Sequence, residues 1–153
     1  MLKTTGQGEK AGDRTNTPTR ILVSKQLAMA NEYLSTKETG LIIGIGMEIH
    51  NILGRGFSEV VYKDAMAYEF KCRDIRYQRE KEYSVKYKEI TLPHKFYADF
   101  VVFDNIILEI KAQRGIAMEQ YAQMINYLAV SGCKIGIILN FGESSLIFKR
   151  VIL

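Results

Sequence analysis

Ile106-Ile107-Leu108-Glu109-Ile110-Lys111 is a run of β-formers that carries an acid and a base near its end. Residues i and i+2 of a strand project to one face, so Glu109 and Lys111 stand together on an otherwise apolar strand. Burying a carboxylate or an ammonium costs several kcal/mol unless the group is paired or binds a metal. Taken alone, the two residues look like an ion pair at the solvent edge of a strand. Their surroundings point further. Asp99 lies in the preceding β-like run, 96–103, and a turn-like Asp104-Asn105 separates the two runs. Glu59 and a Gln-x-x-x-Tyr pair, Gln123 and Tyr127, fall on helices predicted on either side.

Downstream of this strand, Gln113-Arg114-Gly115 is a break, and residues 117–131 have helical spacing. Met118, Tyr121, Ala122, Ile125, Leu128 and Ala129 are the apolar positions of that helix, and Gly132 ends it. Residues 135–140 read as a short buried strand, 141–144 as a turn and 146–153 as a last strand. Upstream, 77–88 alternates at Tyr83, Val85 and Tyr87, the pattern of a strand with one wet face, and Pro93-His94 marks a connection. Ser58 caps a helix over 59–73 whose inner stripe is Val61, Ala65, Tyr68 and Cys72. Before it, Ser35-x-x-Glu38 is a capping box from which a helix runs to about Leu53, with Leu41, Ile42, Ile45, Ile49, Ile52 and Leu53 on one stripe and Gly54 as its stop. Gly44 and Gly46 weaken that helix by roughly 1 kcal/mol each and leave room for close packing on the sheet. His50 is expected on the helix surface or facing a partner.

The predicted order is α-α-β-β-β-α-β-β. The fold class is therefore α/β in the α+β sense, a mixed central sheet flanked by helices. Residues 35–153 form the domain. Residues 1–34 are a tail: 1–20 hold too few apolar groups to offset the entropy of ordering, and 21–34 are weakly helical.

The 153 residues suit one domain with one sizeable core, and 47% apolar with 25% charged residues is ordinary for a globular chain. The net charge of +4 comes largely from Lys3, Lys10, Arg14, Arg20 and Lys25, so it argues little for a polyanionic partner of the domain itself. Cys72 and Cys133 have neither CxxC spacing nor a nearby His, which leaves reduced thiols in a cytoplasmic protein as the expectation. The apolar run 41–47 is far too short to span a membrane, and no membrane partner is expected.

Gly56-Phe57-Ser58-Glu59-Val60-Val61-Tyr62 reads G-x-x-E-x-x-Y, preceded by Glu48-Ile49-His50-Asn51-Ile52-Leu53-Gly54 and followed later by Asn126-Tyr127-Leu128 and Asn140-Phe141-Gly142. Together with Asp99 and the acid-x-Lys of Glu109 and Lys111, these motifs resemble the GxxExxY protein family, a branch of the PD-(D/E)XK nuclease superfamily. The resemblance covers about residues 36–153 and implies a restriction-endonuclease-like core. It implies that Asp99 and Glu109 hold a divalent ion, Mg²⁺ or Mn²⁺, with the Ile110 carbonyl completing the set. It implies that Glu59 binds the ion directly or through water, and that Lys111 orients the attacking water and steadies the phosphate. Gln123 and Tyr127 resemble the Gln-x-x-x-Tyr motif of RecB-like members and would share one helix face toward the site. One departure is Gln120, where such members often carry a His; a glutamine cannot titrate.

The implied partner is nucleic acid, DNA ahead of RNA, and pairing into a homodimer is compatible with it because many related folds pair. A module on the same fold that binds nucleic acid or protein without cleaving is the competing reading, since a fold does not establish an activity. Geometry separates the cases. A two-residue turn at Asp104-Asn105 would pair Phe103 with Ile106, set Asp99 opposite Ile110 and turn it away from Glu109 and Lys111. Sharing one ion requires Asp99 opposite Glu109 or Lys111, so a three-residue connection or a bulge is predicted.

Overall fold

The computed structural model describes residues 17–153. The expected tail up to residue 16 lies outside the described residues. The elements follow the predicted order: α1 (Thr17–Leu53), α2 (Glu59–Cys72), β1 (Tyr77–Tyr87), β2 (Ile90–Val102), β3 (Ile106–Lys111), α3 (Met118–Ser131), β4 (Ile135–Asn140) and β5 (Ile147–Ile152). The first helix departs from expectation at its start. It is 37 residues long, so residues 17–20 are helical and Ser35-x-x-Glu38 sits in mid-helix. The preceding stretch supplies carbonyls to the amides that the capping box would have satisfied, and Thr36 Oγ1 donates back to the Glu32 carbonyl at 2.9 Å, as an interior residue does. The chain divides into one unit ending at Thr36 and another, Lys37–Leu153, that holds the sheet and both flanking cores.

The sheet has five strands in sequence order. β1–β2, β2–β3 and β4–β5 are antiparallel, whereas β3 and β4 are parallel and joined by α3. β3 is thus a central strand, and every one of its residues but Lys111 is buried. Alternation along the strands splits the core between the two faces. One face packs Phe100, Ile106, Leu108, Ile110, Ile137 and Leu139 against α1 and α2; the other packs Val101, Ile107 and Ile138 against α3.

The two shorter helices are rotated relative to the predicted stripes. α2 buries Tyr62, Met66, Ala67 and Phe70, whereas Tyr68 is 66% exposed and Cys72 is exposed. α3 buries Met124, Tyr127 and Leu128, and Met118 is 77% exposed. In α2 the ring-bearing and long side chains at i, i+4 and i+8 bury more apolar area than the smaller stripe beside them. In α3, Gly136 makes the room: a Cβ there would lie 2.2 Å from Met124 Sδ. Gly46 serves likewise against Leu139, while a Cβ at Gly44 would meet nothing. Ser58 occupies the N-cap position of α2, but its side chain makes no capping bond.

Pro93 and His94 lie inside β2 rather than between strands. Ser84 pairs with Lys95 and Lys86 with Thr91, so Val85 alone faces Leu92, Pro93 and His94, and this bulge accommodates a residue with no N–H to give. The chain reverses instead at Lys88, with φ of +51°.

The predicted three-residue connection between β2 and β3 is present. Val102 pairs with Ile106, Val101 with Ile107 and Phe100 with Leu108. Phe103 and Asp104 both take positive φ, 54° and 58°, and Asn105 N–H donates to the Val102 carbonyl at 3.2 Å. Two positive φ values are those of a primed turn, and Asn105 adds the residue that shifts the register. Continuing the register sets Asp99 opposite Glu109.

Candidate active site

The regular β2–β3 pairing ends at Phe100 and Leu108. At the next position, side chains replace the ladder. Asp99 N–H donates to Glu109 Oε1 at 3.0 Å, and Ile110 N–H donates to Asp99 Oδ2 at 2.8 Å. Alternation in β2 also breaks here: Ala98 packs on the α3 face with Val101, while Phe100 packs on the opposite face. Between the β1 residues that pair with Ala98 and Phe100 lies Glu80, whose φ is +51°. The strand is distorted where it presents its acid, and the two freed amides are satisfied by the acids themselves.

Both acids are buried, Asp99 at 6% and Glu109 at 4% exposure. Burial first, and then the negative charge of Asp99, push the Glu109 carboxyl up to about 8, against the pull of the Asp99 amide, Lys111 and Lys63. Lys111 Nζ lies 3.8 Å from Glu109 Oε2, as the i, i+2 spacing predicts. Lys63, from α2, forms an ion pair with Asp99 Oδ1 and a second with Glu80 Oε1 at 3.4 Å. Burial lowers the Lys63 pKa, but the hydrogen bond and charge of Asp99, with Glu80, outweigh it and leave the ammonium above its usual range.

The remaining predicted residues make other contacts. Glu59 is half-buried in the first turn of α2. Among the described residues, no three His, Cys, Asp or Glu side chains are grouped so as to hold a metal ion, so Glu59 is not drawn into one cluster with Asp99 and Glu109. Gln123 Nε2 donates to Tyr127 Oη at 3.2 Å, and Tyr127 Oη donates to the Tyr97 carbonyl at 2.9 Å. This relay ties α3 to β2 two residues before Asp99. Burial, and then the charges of Glu109 and Asp99, raise the Tyr127 hydroxyl pKa, which keeps it a neutral donor.

Tyr62 of the G-x-x-E-x-x-Y stretch is fully buried; its hydroxyl donates to the Gly54 carbonyl at 2.7 Å and accepts from Phe57 N–H at 3.3 Å. It therefore shapes the turn that leads into Glu59. His50 is buried rather than on the surface, bonded through Nε2 to the Glu143 carbonyl at 3.0 Å and stacked on Phe141. From α1 it thus braces the turn that follows β4.

The sequence pattern did not place Lys63 at the site or Asn140 in its support. Lys63 follows Glu59 by one helical turn, which is the only signal that could have placed it near the acids. Asn140 is fully buried and pairs in register with Lys111. Its side chain accepts from Gln113 N–H and Gly142 N–H, both at 3.1 Å, and donates to the Gln113 and Gly115 carbonyls at 2.8 and 2.9 Å. It fixes the loop that leaves Lys111.

An acid on β2 and an acid-x-Lys on β3 of a mixed sheet have their counterpart in a known family. The model of the PD-(D/E)XK nuclease superfamily matches residues 36–151. The chain belongs to the PD-(D/E)XK nuclease superfamily. No curated protein matches it. Among solved structures, the crystal structure of SSO0001 superposes with a TM-score of 0.49 at 16% identity, covering 60% of this chain and 48% of that one. This chain thus spans about half the length of that solved chain. Members of the superfamily generally use divalent metals, and the donor set here fits one in chemistry. Two hard carboxylates are pressed together with a charge conflict that raises one of them, and Mg²⁺ needs only one or two carboxylates because it keeps its waters.

Proposed function

We propose that this chain is a metal-dependent nuclease of the GxxExxY branch that hydrolyses phosphodiester bonds, with DNA ahead of RNA as substrate. The observation that carries the reading is the mutual bonding of Asp99 and Glu109 across β2 and β3, with Lys111 beside Glu109. Asp99 and Glu109 would hold Mg²⁺ or Mn²⁺, and Glu59 would reach it through water. Such an ion supplies Lewis acidity, a template and an activated water.

The chain's own residues do the rest. Lys111 is placed to orient a water and to meet charge developing on a phosphate oxygen, the kind of preorganised electrostatic aid that matters most in such transfers. The rigid β3–β4 pairing and the Asn140 network hold Lys111 at the end of its strand. Gln123 and Tyr127 act as positioning residues through the Tyr97 carbonyl, not on substrate.

A second reading has its own observation. Lys63 already pairs with Asp99, and among the described residues no third acid is grouped with Asp99 and Glu109 so as to hold a metal, as in a module that keeps the fold without cleaving. Incubating the purified protein with end-labelled single- and double-stranded DNA and RNA, in Mg²⁺, Mn²⁺ or EDTA, tests between them. Cleavage that needs the ion and disappears in Asp99→Ala supports the nuclease. Retention of nucleic acid on a gel without cleavage in any metal supports the module.

A further inference from the structure

The site contains two acids and two lysines in direct opposition. Lys111 faces Glu109 at 3.8 Å, and Lys63 sits on Asp99. By formal charge these two acids and two lysines cancel without any metal. The two lysines hold their acids differently. Lys111 leaves Glu109 Oε2 at the outer limit of an ion pair, whereas Lys63 makes close contact with Asp99 Oδ1. The other oxygen of Asp99, Oδ2, is occupied by Ile110 N–H. Both oxygens of this carboxylate thus have a donor in place, one from the backbone and one from a side chain.

Lys63 also has somewhere else to go. Glu80 Oε1 lies 3.4 Å from its Nζ, and Glu80 is half-exposed where Asp99 is buried. Glu80 takes a φ of +51°, a conformation that a non-glycine residue adopts only when its surroundings hold it there. The outer acid gives the ammonium a partner after it leaves the inner one.

We infer that Lys63 is the resident counter-cation of this site: it must release Asp99 toward Glu80 before Asp99 can take a divalent ion, and the released ammonium then stands beside the site to meet a substrate phosphate. An ammonium and a divalent cation on one carboxylate oxygen repel strongly where little water screens them. Lys63 is thus a positioning residue that sets the affinity of the site for its ion. The inference rests on the reading of Asp99 as a metal ligand.

The test is Mn²⁺ binding by calorimetry to the metal-free protein, the Lys63→Met variant and Lys71→Met, which removes an exposed charge of α2 that makes no ion pair with Asp99. The expected result is binding about tenfold tighter in Lys63→Met, the ~1.4 kcal/mol scale of one partly screened ion pair, and within about twofold of the parent in Lys71→Met. A second readout needs no variant: acetylation of Lys63 in the parent, followed by mass spectrometry, should quicken severalfold when Mn²⁺ saturates the site. Equal affinity in parent and Lys63→Met, or acetylation indifferent to Mn²⁺, would overturn the inference while leaving Asp99 as a ligand. Absence of Mn²⁺ binding by parent and variant alike would overturn both.

Discussion

Asp99 and Glu109 each complete the other's strand. Glu109 Oε1 accepts the Asp99 amide at 3.0 Å, and Asp99 Oδ2 accepts the Ile110 amide at 2.8 Å. A rung of the β2–β3 ladder is opened, and two carboxylates take the place of two carbonyls. At Glu109, burial and then the charge of Asp99 raise the carboxyl, while the Asp99 amide pulls the other way.

The two acids should therefore respond differently to removal. Glu109→Gln keeps an acceptor for the Asp99 amide and ends the repulsion, so its stability in EDTA should equal or exceed that of the parent. Asp99→Ala leaves the Ile110 amide without its partner and Lys63 with Glu80 alone, and should cost about 2 kcal/mol, within the range for an orphaned buried donor. Urea unfolding of both variants without metal checks the ordering.

A pH dependence follows with a definite sign. The Glu109 pKa rises from 4.5 to about 8 in the folded chain, so the folded state holds the proton more tightly than the unfolded one. That contribution to stability is full below about 4.5 and is lost as pH rises toward about 8. In EDTA, the melting temperature of the parent minus that of Glu109→Gln should fall steadily across this window. A flat difference would show that Glu109 is not strained by its neighbours.

Much of this was legible in the sequence, for identifiable reasons. β3 announces itself because a central strand is apolar on both faces, and its one acid-x-Lys interruption is then anomalous. A three-residue connection or a bulge followed from parity once Asp99, Glu109 and Lys111 were required to share one ion, since a strand has only two faces, and the first of these is what is present. Helix faces were harder. Tyr62 and Tyr127, which lie outside the apolar stripes read from spacing, each bury a ring while their hydroxyls find carbonyl partners. Lys63 was out of reach because its contact with Asp99 depends on how α2 lies over the sheet, which no local pattern encodes. The start of α1 was misplaced because a capping-box sequence also fits within a longer helix.

Asn140 tests how far the support of Lys111 matters. All four hydrogen-bonding positions of its amide are used, on Gln113, Gly115 and Gly142. Asn140→Ala orphans several backbone groups at once and should cost about 3 kcal/mol or more. Gly142→Ala should be as damaging, because its Cβ would lie 2.2 Å from the Gln113 carbonyl oxygen. Chemical unfolding of each variant against the parent measures both costs.

The central claim is that Asp99, Glu109 and Lys111 form a metal-dependent phosphodiesterase centre. The most direct measurement is the single-turnover cleavage rate of a labelled DNA substrate in Mn²⁺ by the parent, Glu109→Gln and Lys111→Met, each confirmed folded by its melting curve. The predicted result is cleavage by the parent that EDTA stops, with each variant slower by about 10²-fold or more, the scale of removing one preorganised electrostatic contact. Cleavage by folded Glu109→Gln or Lys111→Met at the rate of the parent would contradict it.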